Sequence, residues 1–379
     1  MAAEESESRL VPAGSSDSSA QKRFRFKLRS QRSGVNTADV RPRNQGGIAP
    51  IVAKKDDHIV LDLKDGHPCT IWTVLSLWFV FFFPYSPLFL PTIAAGLYIA
   101  YRQLSHSVWL VWAALNILFL LLPPYYNRLF REEYFRRLYI TLAHYANSSR
   151  AVIPAKQYPP GKRYIFGLHP HGRVMYSTAL ISQLHDVFRR VLPEGGGDVF
   201  GAIAAAFFYV PFVRNWFYML GAISAAKPSM RAQLERGNNV AIVVGGVKEV
   251  CLPTYPDKDV LYLKKRFGFI KLALETKAGL VPVYFFNENS LFKPQPLRFL
   301  KFWEAVNHYV PIGVPLFHGF WNLPFPYQRD LLMAFGEPLF AKDGETVEEF
   351  HSRYVEAVKQ LFNKYVGMSA DPKHKLVLV

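Results

Sequence analysis

The sequence predicts an α/β protein, a mainly parallel sheet flanked by helices and anchored by an N-terminal transmembrane helical hairpin. Three observations carry that expectation. Short apolar runs alternate with helical patterns through residues 128–379. Ahead of them lie two charge-free blocks, 69–101 and 108–126, separated only by 102-RQLSHS-107. Ahead of those, residues 1–60 are polar and charged, with too little apolar surface to offset the entropy of ordering.

Residues 1–60 are expected to be a disordered basic tail. They open acidic and serine-rich and turn basic at 22-KRFRFKLRSQR-32. They show no early apolar core of a secretory signal. Two cysteines, Cys69 and Cys251, are too few for a disulfide framework and fit a domain facing a reducing compartment. A net charge of +16 with 15% aromatic residues suits an acidic partner. The tail reads as a solvated segment or one resting on anionic membrane lipid, and no nucleic-acid partner is expected.

Residues 61–127 read as the membrane hairpin. About 20 apolar residues cross the hydrocarbon core of a bilayer, and 69–101 exceeds that while 108–126 just meets it. Pro84, Pro87 and Pro91 interrupt the first block, so part of it is expected to kink or lie in the interface. Basic residues precede the first block and follow the second (Arg128, Arg131, Arg136, Arg137), whereas only Arg102 lies between them. The positive-inside rule then places both ends of the chain in the cytosol.

The domain 128–379 supplies the α/β pattern. Candidate strands are 163–168, 198–203, 239–245, 280–286 and 331–336. A helix is expected over 268–279, closed by Gly279. The last helix begins at Thr346, which with Glu349 forms a capping box ahead of a stripe of Val347, Phe350, Tyr354, Val358, Leu361 and Tyr365. In such α/β sheets ligands gather beyond the carboxyl ends of the strands.

One strand ends in chemistry. The run 164-YIFGLHPHGRV-174 stops at His169 and His171, with Pro170 between them and Gly172 behind. In extended chain the two imidazoles point to one side, and either can take a proton from an alcohol or thiol near neutral pH. Metal ligation and a structural role compete with that reading. No Cys or Asp cluster with ligand spacing accompanies the pair, and no metal is expected. No Gly-x-Ser-x-Gly elbow supports a serine hydrolase.

Two further blocks stand at element ends. In 240-VAIVVGGVKEV-250, Gly245 and Gly246 offer backbone N–H groups to a developing oxyanion, and Glu249 could steady a cationic histidine. Cys251 just beyond is a conceivable acyl carrier. In 264–289, Lys264, Lys265, Arg266 and Lys271 cluster at a helix start, a fitting place for phosphate, and Asn287, Glu288 and Asn289 put polar groups after a strand.

Taken in order, HPHG, Gly-Gly-x-x-Glu after a valine-rich strand, and R-x-G-F-x-K-x-A followed by G-L-V-P resemble the type-2 diacylglycerol acyltransferases. Monoacylglycerol acyltransferases and wax synthases share their superfamily. The segments 317-FHG-319 and 335-FGEPL-339 follow in family order, and the resemblance covers roughly 128–366. It implies a glycerolipid-acyltransferase-like fold and an acyl-CoA-dependent O-acyltransferase that turns diacylglycerol and acyl-CoA into triacylglycerol and CoA. The acceptor alternatives are monoacylglycerol and fatty alcohol. A membrane-bound ester hydrolase and a non-enzymatic lipid-droplet hairpin protein are the rivals of other classes.

The resemblance further implies residence in the endoplasmic reticulum membrane and at lipid droplets, with membrane lipid as a partner. Acyl-CoA enters as co-substrate and no cofactor is required. His171, His169 and Glu249 are the implied catalytic residues. Pro170, Gly172, Gly245, Gly246, Lys264, Arg266, Lys271, Asn287 and Glu288 are the implied substrate contacts. His171 is favoured as base because some plant-type members resemble Glu-Pro-His-Ser here. The sequence departs from the related His-x4-Asp acyltransferases, since Tyr176 stands where their aspartate would be. It departs from the family itself at 138-LYI-140, 221-GAISAAKP-228 and 286-FNEN-289, which weakens the choice of acceptor. The oligomeric state stays open, a homo-oligomer included.

Overall fold

Thirteen strands and six α-helices are described in the computed structural model, which describes residues 49–64, 142–180, 186–209, 221–294, 317–321 and 325–379 together with isolated residues between 98 and 118 and at 214, 217 and 218. In chain order the strands are β1 (Ile51–Lys54), β2 (His58–Asp62), β3 (Ser148–Pro154), β4 (Tyr164–His169), β5 (Val199–Ile203), β6 (Ala222–Ser224) and β7 (Asn239–Val243). There follow β8 (Lys258–Leu261), β9 (Gly279–Phe286), β10 (Lys293–Pro294), β11 (Phe317–His318), β12 (Asp330–Phe335) and β13 (Lys375–Leu378). The helices are α1 (Tyr176–Leu180), α2 (Asp186–Val191), α3 (Lys227–Glu235), α4 (Gly246–Val250), α5 (Gly268–Thr276) and α6 (Val347–Tyr365).

Nine strands make one sheet in the order β1-β2-β3-β12-β9-β4-β7-β5-β6. Its middle is parallel: β4 pairs in parallel with β7 and β9, and β5 with β6 and β7. The expected mainly parallel, helix-flanked sheet is what the chain forms. Alternation sorts side chains between two cores. Phe166, Val283, Phe285 and Met333 face one of them, with Val187 and Phe188 of α2. Ile165, Leu280, Tyr284 and Leu332 face the other, with Ile270 of α5 and Phe350, Tyr354 and Val358 of α6.

Proline in a central strand is unusual because it cannot donate to a ladder, yet Pro282 lies in β9. The neighbour explains it. The β12 pairing ends at Phe335 opposite Val283, and the partner chain then breaks at Gly336. Gly336 donates to the Pro282 carbonyl at 2.8 Å, and pairing resumes only at Leu339 with Leu280. The missing N–H therefore falls in the gap.

Two expectations need correction. Residues 51–62, assigned from sequence to the tail 1–60 and the start of the hairpin 61–127, form β1 and β2, and β2 pairs antiparallel with β3. Val60, Leu61 and Leu63 are buried in the two cores. The run is short and flanked by Lys54, Lys55, Asp56 and Asp57, so its apolar signal is masked by charge. Leu61→Ala should cost about 2–5 kcal/mol, the range for a buried leucine. Denaturant unfolding checks this, and a loss within error would mean that the strand adds nothing.

The second correction concerns the end of α5. The left-handed position there is taken by Lys277, at φ 53°, and not by Gly279. Gly279 opens β9, where a Cβ would lie 2.8 Å from the Phe340 ring. Its lack of a side chain serves packing, not the turn. The capping box of Thr346 and Glu349 is present as expected. The two apolar blocks 69–101 and 108–126 lie outside the described residues except for isolated positions, and no described helix is long and apolar enough to cross a membrane.

Candidate active site

The parallel strands set the stage. The strand β4, buried along its whole length, delivers His169 at its last residue and the loop 170–175 beyond it. The strand β7 delivers Gly245, Gly246 and α4 beside that loop. On the other flank β9 delivers Asn287 and Glu288. The site residues thus come together at the carboxyl edge of three adjacent strands, where the fold class expects a ligand.

Two buried carboxylates hold the histidine loop. Glu249 accepts the backbone N–H of His171 at 2.5 Å on one oxygen and that of Tyr262 at 2.8 Å on the other. It grips the main chain of His171, whereas the sequence reading assigned it to the imidazole. Glu288 accepts the N–H of Tyr176 at 2.6 Å and of Ser177 at 3.0 Å, together with the Ser177 hydroxyl. Glu288, assigned as a substrate contact, is thereby occupied in fixing the start of α1. Burial pushes both carboxyls up to about 7, against the opposing pull of the bonds they accept.

Glycine is demanded at two of these positions. Gly172 has φ +62°, and a Cβ there would stand 2.7 Å from Cγ of Glu288. Gly245 presses directly against the Glu249 carboxylate. Gly172→Ala should therefore cost about 1–3 kcal/mol in stability from backbone strain alone. Thermal unfolding measures it, and an unchanged melting temperature would contradict the close approach.

The two imidazoles lead separate lives. The strand ends at His169 and the chain turns beyond it, with Gly172 left-handed at φ 62°, so the expectation of two rings on one side of a strand does not apply. His169 is buried, its Nε2 2.9 Å from the Tyr354 hydroxyl of α6, and its Nδ1 has no partner among the described residues. Burial pulls it down to about 3, so it is neutral. His171 is half-buried. Its Nδ1 lies 3.1 Å from the Gly172 carbonyl, an acceptor only, so Nδ1–H donates and Nε2 keeps its lone pair. No described residue bonds that Nε2. Burial pulls His171 down to about 4, so it too is neutral at pH 7.

The surrounding contacts complete the geometry. Arg173 donates to the carbonyls of Val250 and Leu252, tying the histidine loop to the end of α4. A small, shallow pocket, with room for about one water molecule, opens beside Gly172, Arg173, Glu249 and Asn289. Arg266 donates to the Gly245 carbonyl and stacks 4.9 Å over the Tyr262 ring, while Lys264, Lys265 and Lys271 are exposed. Asn287, left-handed at φ 70°, donates to the Asp330 carbonyl at 2.7 Å. Among the described residues no group of three or more His, Cys, Asp and Glu side chains could hold a metal ion.

Sequence reasoning missed Tyr354, Tyr262 and Arg173. Tyr354 was legible only as one residue of an apolar stripe. A fully buried tyrosine hydroxyl must find a partner, however. Its partners are His169 and, at 3.3 Å, the Gly167 carbonyl.

An imidazole nitrogen that no described residue bonds, at the carboxyl edge of a parallel sheet and held by buried carboxylates through the main chain, defines a site suited to proton abstraction. The chain belongs to the diacylglycerol acyltransferase family, whose sequence profile matches residues 104–379, and is an acyltransferase. It is 30% identical over 236 residues to 2-acylglycerol O-acyltransferase 1 of Bos taurus, covering 58% of this chain and 70% of that one. Diacylglycerol O-acyltransferase 2A of Umbelopsis ramanniana is 30% identical over 249 residues, covering 59% and 68%. Acyl-CoA wax alcohol acyltransferase 2 of Mus musculus is 30% identical over 233 residues, covering 56% and 69%. Among solved structures, the 1-acyl-sn-glycerophosphate acyltransferase PlsC of Thermotoga maritima overlays with TM-score 0.38 and 13% identity, over 76% of this chain and 94% of that one. That overlay is too loose to add to the family match.

Proposed function

We propose that the chain transfers an acyl group from acyl-CoA to the free hydroxyl of diacylglycerol, releasing triacylglycerol and CoA, with Nε2 of His171 as general base. The observation that carries the reading is the state of His171: neutral, its Nδ1–H engaged by Gly172, its Nε2 without a partner among the described residues. Nε2 takes the hydroxyl proton as the oxygen attacks the thioester carbonyl. The tetrahedral oxyanion collapses with loss of CoA thiolate, which takes the proton back from the imidazolium. Backbone N–H groups near Gly172 or Gly245 and Gly246 are the oxyanion donors in this scheme, a role typically contributing about 10²–10³ in rate per donor. Glu249 acts through the His171 main chain as a positioning residue. The exposed Lys264, Lys265 and Lys271 offer CoA phosphates their charge, and Arg266, tied to Gly245, links that cluster to the site.

The same reading places residues 69–126 in the endoplasmic reticulum membrane as a hairpin with both ends cytosolic, and the protein at lipid droplets. Relatives named for 2-acylglycerol and for wax alcohol favour a second acceptor reading. Radiolabelled oleoyl-CoA supplied with dioleoylglycerol, monooleoylglycerol or hexadecanol separates them. The account expects label in triacylglycerol at the highest kcat/KM. Label mainly in diacylglycerol or wax ester would move the acceptor, and release of free fatty acid without any acceptor would favour the hydrolase.

A further inference from the structure

We propose that the carboxyl edge of the sheet is itself a lipid-surface docking face, with Tyr209 and the pair Phe320–Trp321 as aromatic anchors on either side of the histidine loop. This rests on the lipid-acceptor reading above and goes beyond the N-terminal hairpin.

Topology places the anchors. The strands β5, β7, β4 and β9 are parallel neighbours in that order, so the segments leaving their carboxyl ends emerge on one edge. From β4 comes the His171 loop. From β5 comes the 3-10 turn Ala205–Tyr209, which buries none of its residues despite its sequence AAFFY. From β9 comes the segment that runs through β10, whose Pro294 pairs with Phe317 of β11, to Phe320 and Trp321. It is tied back to the edge where Tyr327 donates to the Leu291 carbonyl at 2.9 Å. With strands spaced about 4.8 Å apart, β5 lies roughly 10 Å from β4 on one side and β9 roughly 5 Å on the other.

Exposure and charge name the occupant. Tyr209 and Trp321 are each 78% exposed and Phe320 is 47% exposed. The Phe320 and Trp321 rings stand 4.9 Å apart, a paired apolar surface held in water. Tyrosine and tryptophan prefer the headgroup level of a bilayer, where an apolar ring and a polar tip are both satisfied. The same edge is basic: Lys264 and Lys265 are exposed, and Arg266 beside them reaches the Gly245 carbonyl at the end of β7. Aromatic anchors amid lysines fit an anionic lipid surface. Docked this way, the edge would meet an acceptor that never leaves the bilayer.

The test uses the full chain carrying Tyr209→Ser, Phe320→Ser and Trp321→Ser together. Acyl transfer is measured to dioleoylglycerol in phosphatidylcholine–phosphatidylserine vesicles and to monomeric dihexanoylglycerol in water. The proposal expects the vesicle acceptor KM to rise about tenfold, the loss of roughly 1.4 kcal/mol of interfacial binding, with kcat/KM for the soluble acceptor unchanged. Equal losses on both acceptors would put these residues in the site or the fold and overturn it. No loss on vesicles would also overturn it, as would a change of oligomeric state in the triple variant, which would make the patch a contact between copies.

A second readout needs no activity. Interfacially brominated phosphatidylcholine should quench a part of the tryptophan emission that Trp321→Phe removes. Equal quenching in both proteins would refute the docking even if the chain transfers acyl groups to no acceptor tried.

Discussion

His171→Ala abolishes acyl transfer, with kcat/KM falling by about 10²–10⁴, the usual contribution of a positioned base, while the fold is retained. The side chain is half-buried and its only described bond is the local one from Nδ1 to Gly172, so its removal leaves no distant group unpaired. His169→Ala behaves differently. That ring is buried against Tyr354, and truncation opens a cavity beneath the strand end and leaves the tyrosine hydroxyl only the longer bond to the Gly167 carbonyl at 3.3 Å. Its principal effect is therefore on thermal stability. Steady-state kinetics and unfolding of the two variants side by side check the division of roles. Equal losses of stability would contradict it, as would retained activity in His171→Ala.

Glu249→Gln is expected to lower kcat by about 10-fold or more and to change the shape of the pH profile. Both carboxylate oxygens accept a backbone N–H, from His171 and from Tyr262, whereas an amide offers one acceptor and puts its NH₂ against the other donor. A donor facing a donor in a buried place typically costs about 1–3 kcal/mol. In the wild type the ionised form is the one that can serve both bonds. Burial pushes Glu249 up to about 7, so activity should fall as the pH drops through that value. His171, pulled down to about 4, contributes no limb near 6.5. Glu249→Gln removes the part of the limb near 7 that Glu249 carries and leaves a shallower one from Glu288, which burial pushes up to about 7 as well. A limb near 7 that is as steep in Glu249→Gln as in the wild type would contradict the brace.

Stability carries the opposite sign. A carboxyl raised in the folded state contributes stability that is full below its model value of 4.5 and lost as the pH rises through about 7. Glu249→Gln should lack its share of that decline, with the share from Glu288 remaining. The buried brace is thus a place where the ionisation needed to hold the histidine loop works against the fold.

Much of this was legible in the sequence. The five expected strands are β4, β5, β7, β9 and β12, because each is an apolar run bounded by turn residues. The helix α6 announced itself by its capping box and stripe. The place of His169 and His171 at a strand end was also legible, since an apolar run that stops at polar groups has an end. The roles around them were not. That Glu249 holds a backbone amide, that Arg266 turns inward to Gly245 and that Glu288 secures α1 depend on partners 21 to 112 residues away in sequence. Periodicity reports which side chains leave water, and it carries nothing about which donor a buried carboxylate meets. The strands β1 and β2 were hidden for a simpler reason: charges on both sides of a short run outweigh its apolar signal.

The claim that an imidazole removes the acceptor's proton is tested most directly by an acceptor that needs no base. A diacylglycerol analogue with a thiol in place of its free hydroxyl ionises readily near pH 8 and is a strong nucleophile without help. Against this thiol, His171→Ala should lose less than about 10-fold relative to wild type, while against the alcohol it loses about 10²–10⁴. A loss of the same size on both acceptors would mean that His171 shapes the pocket and does not carry the proton.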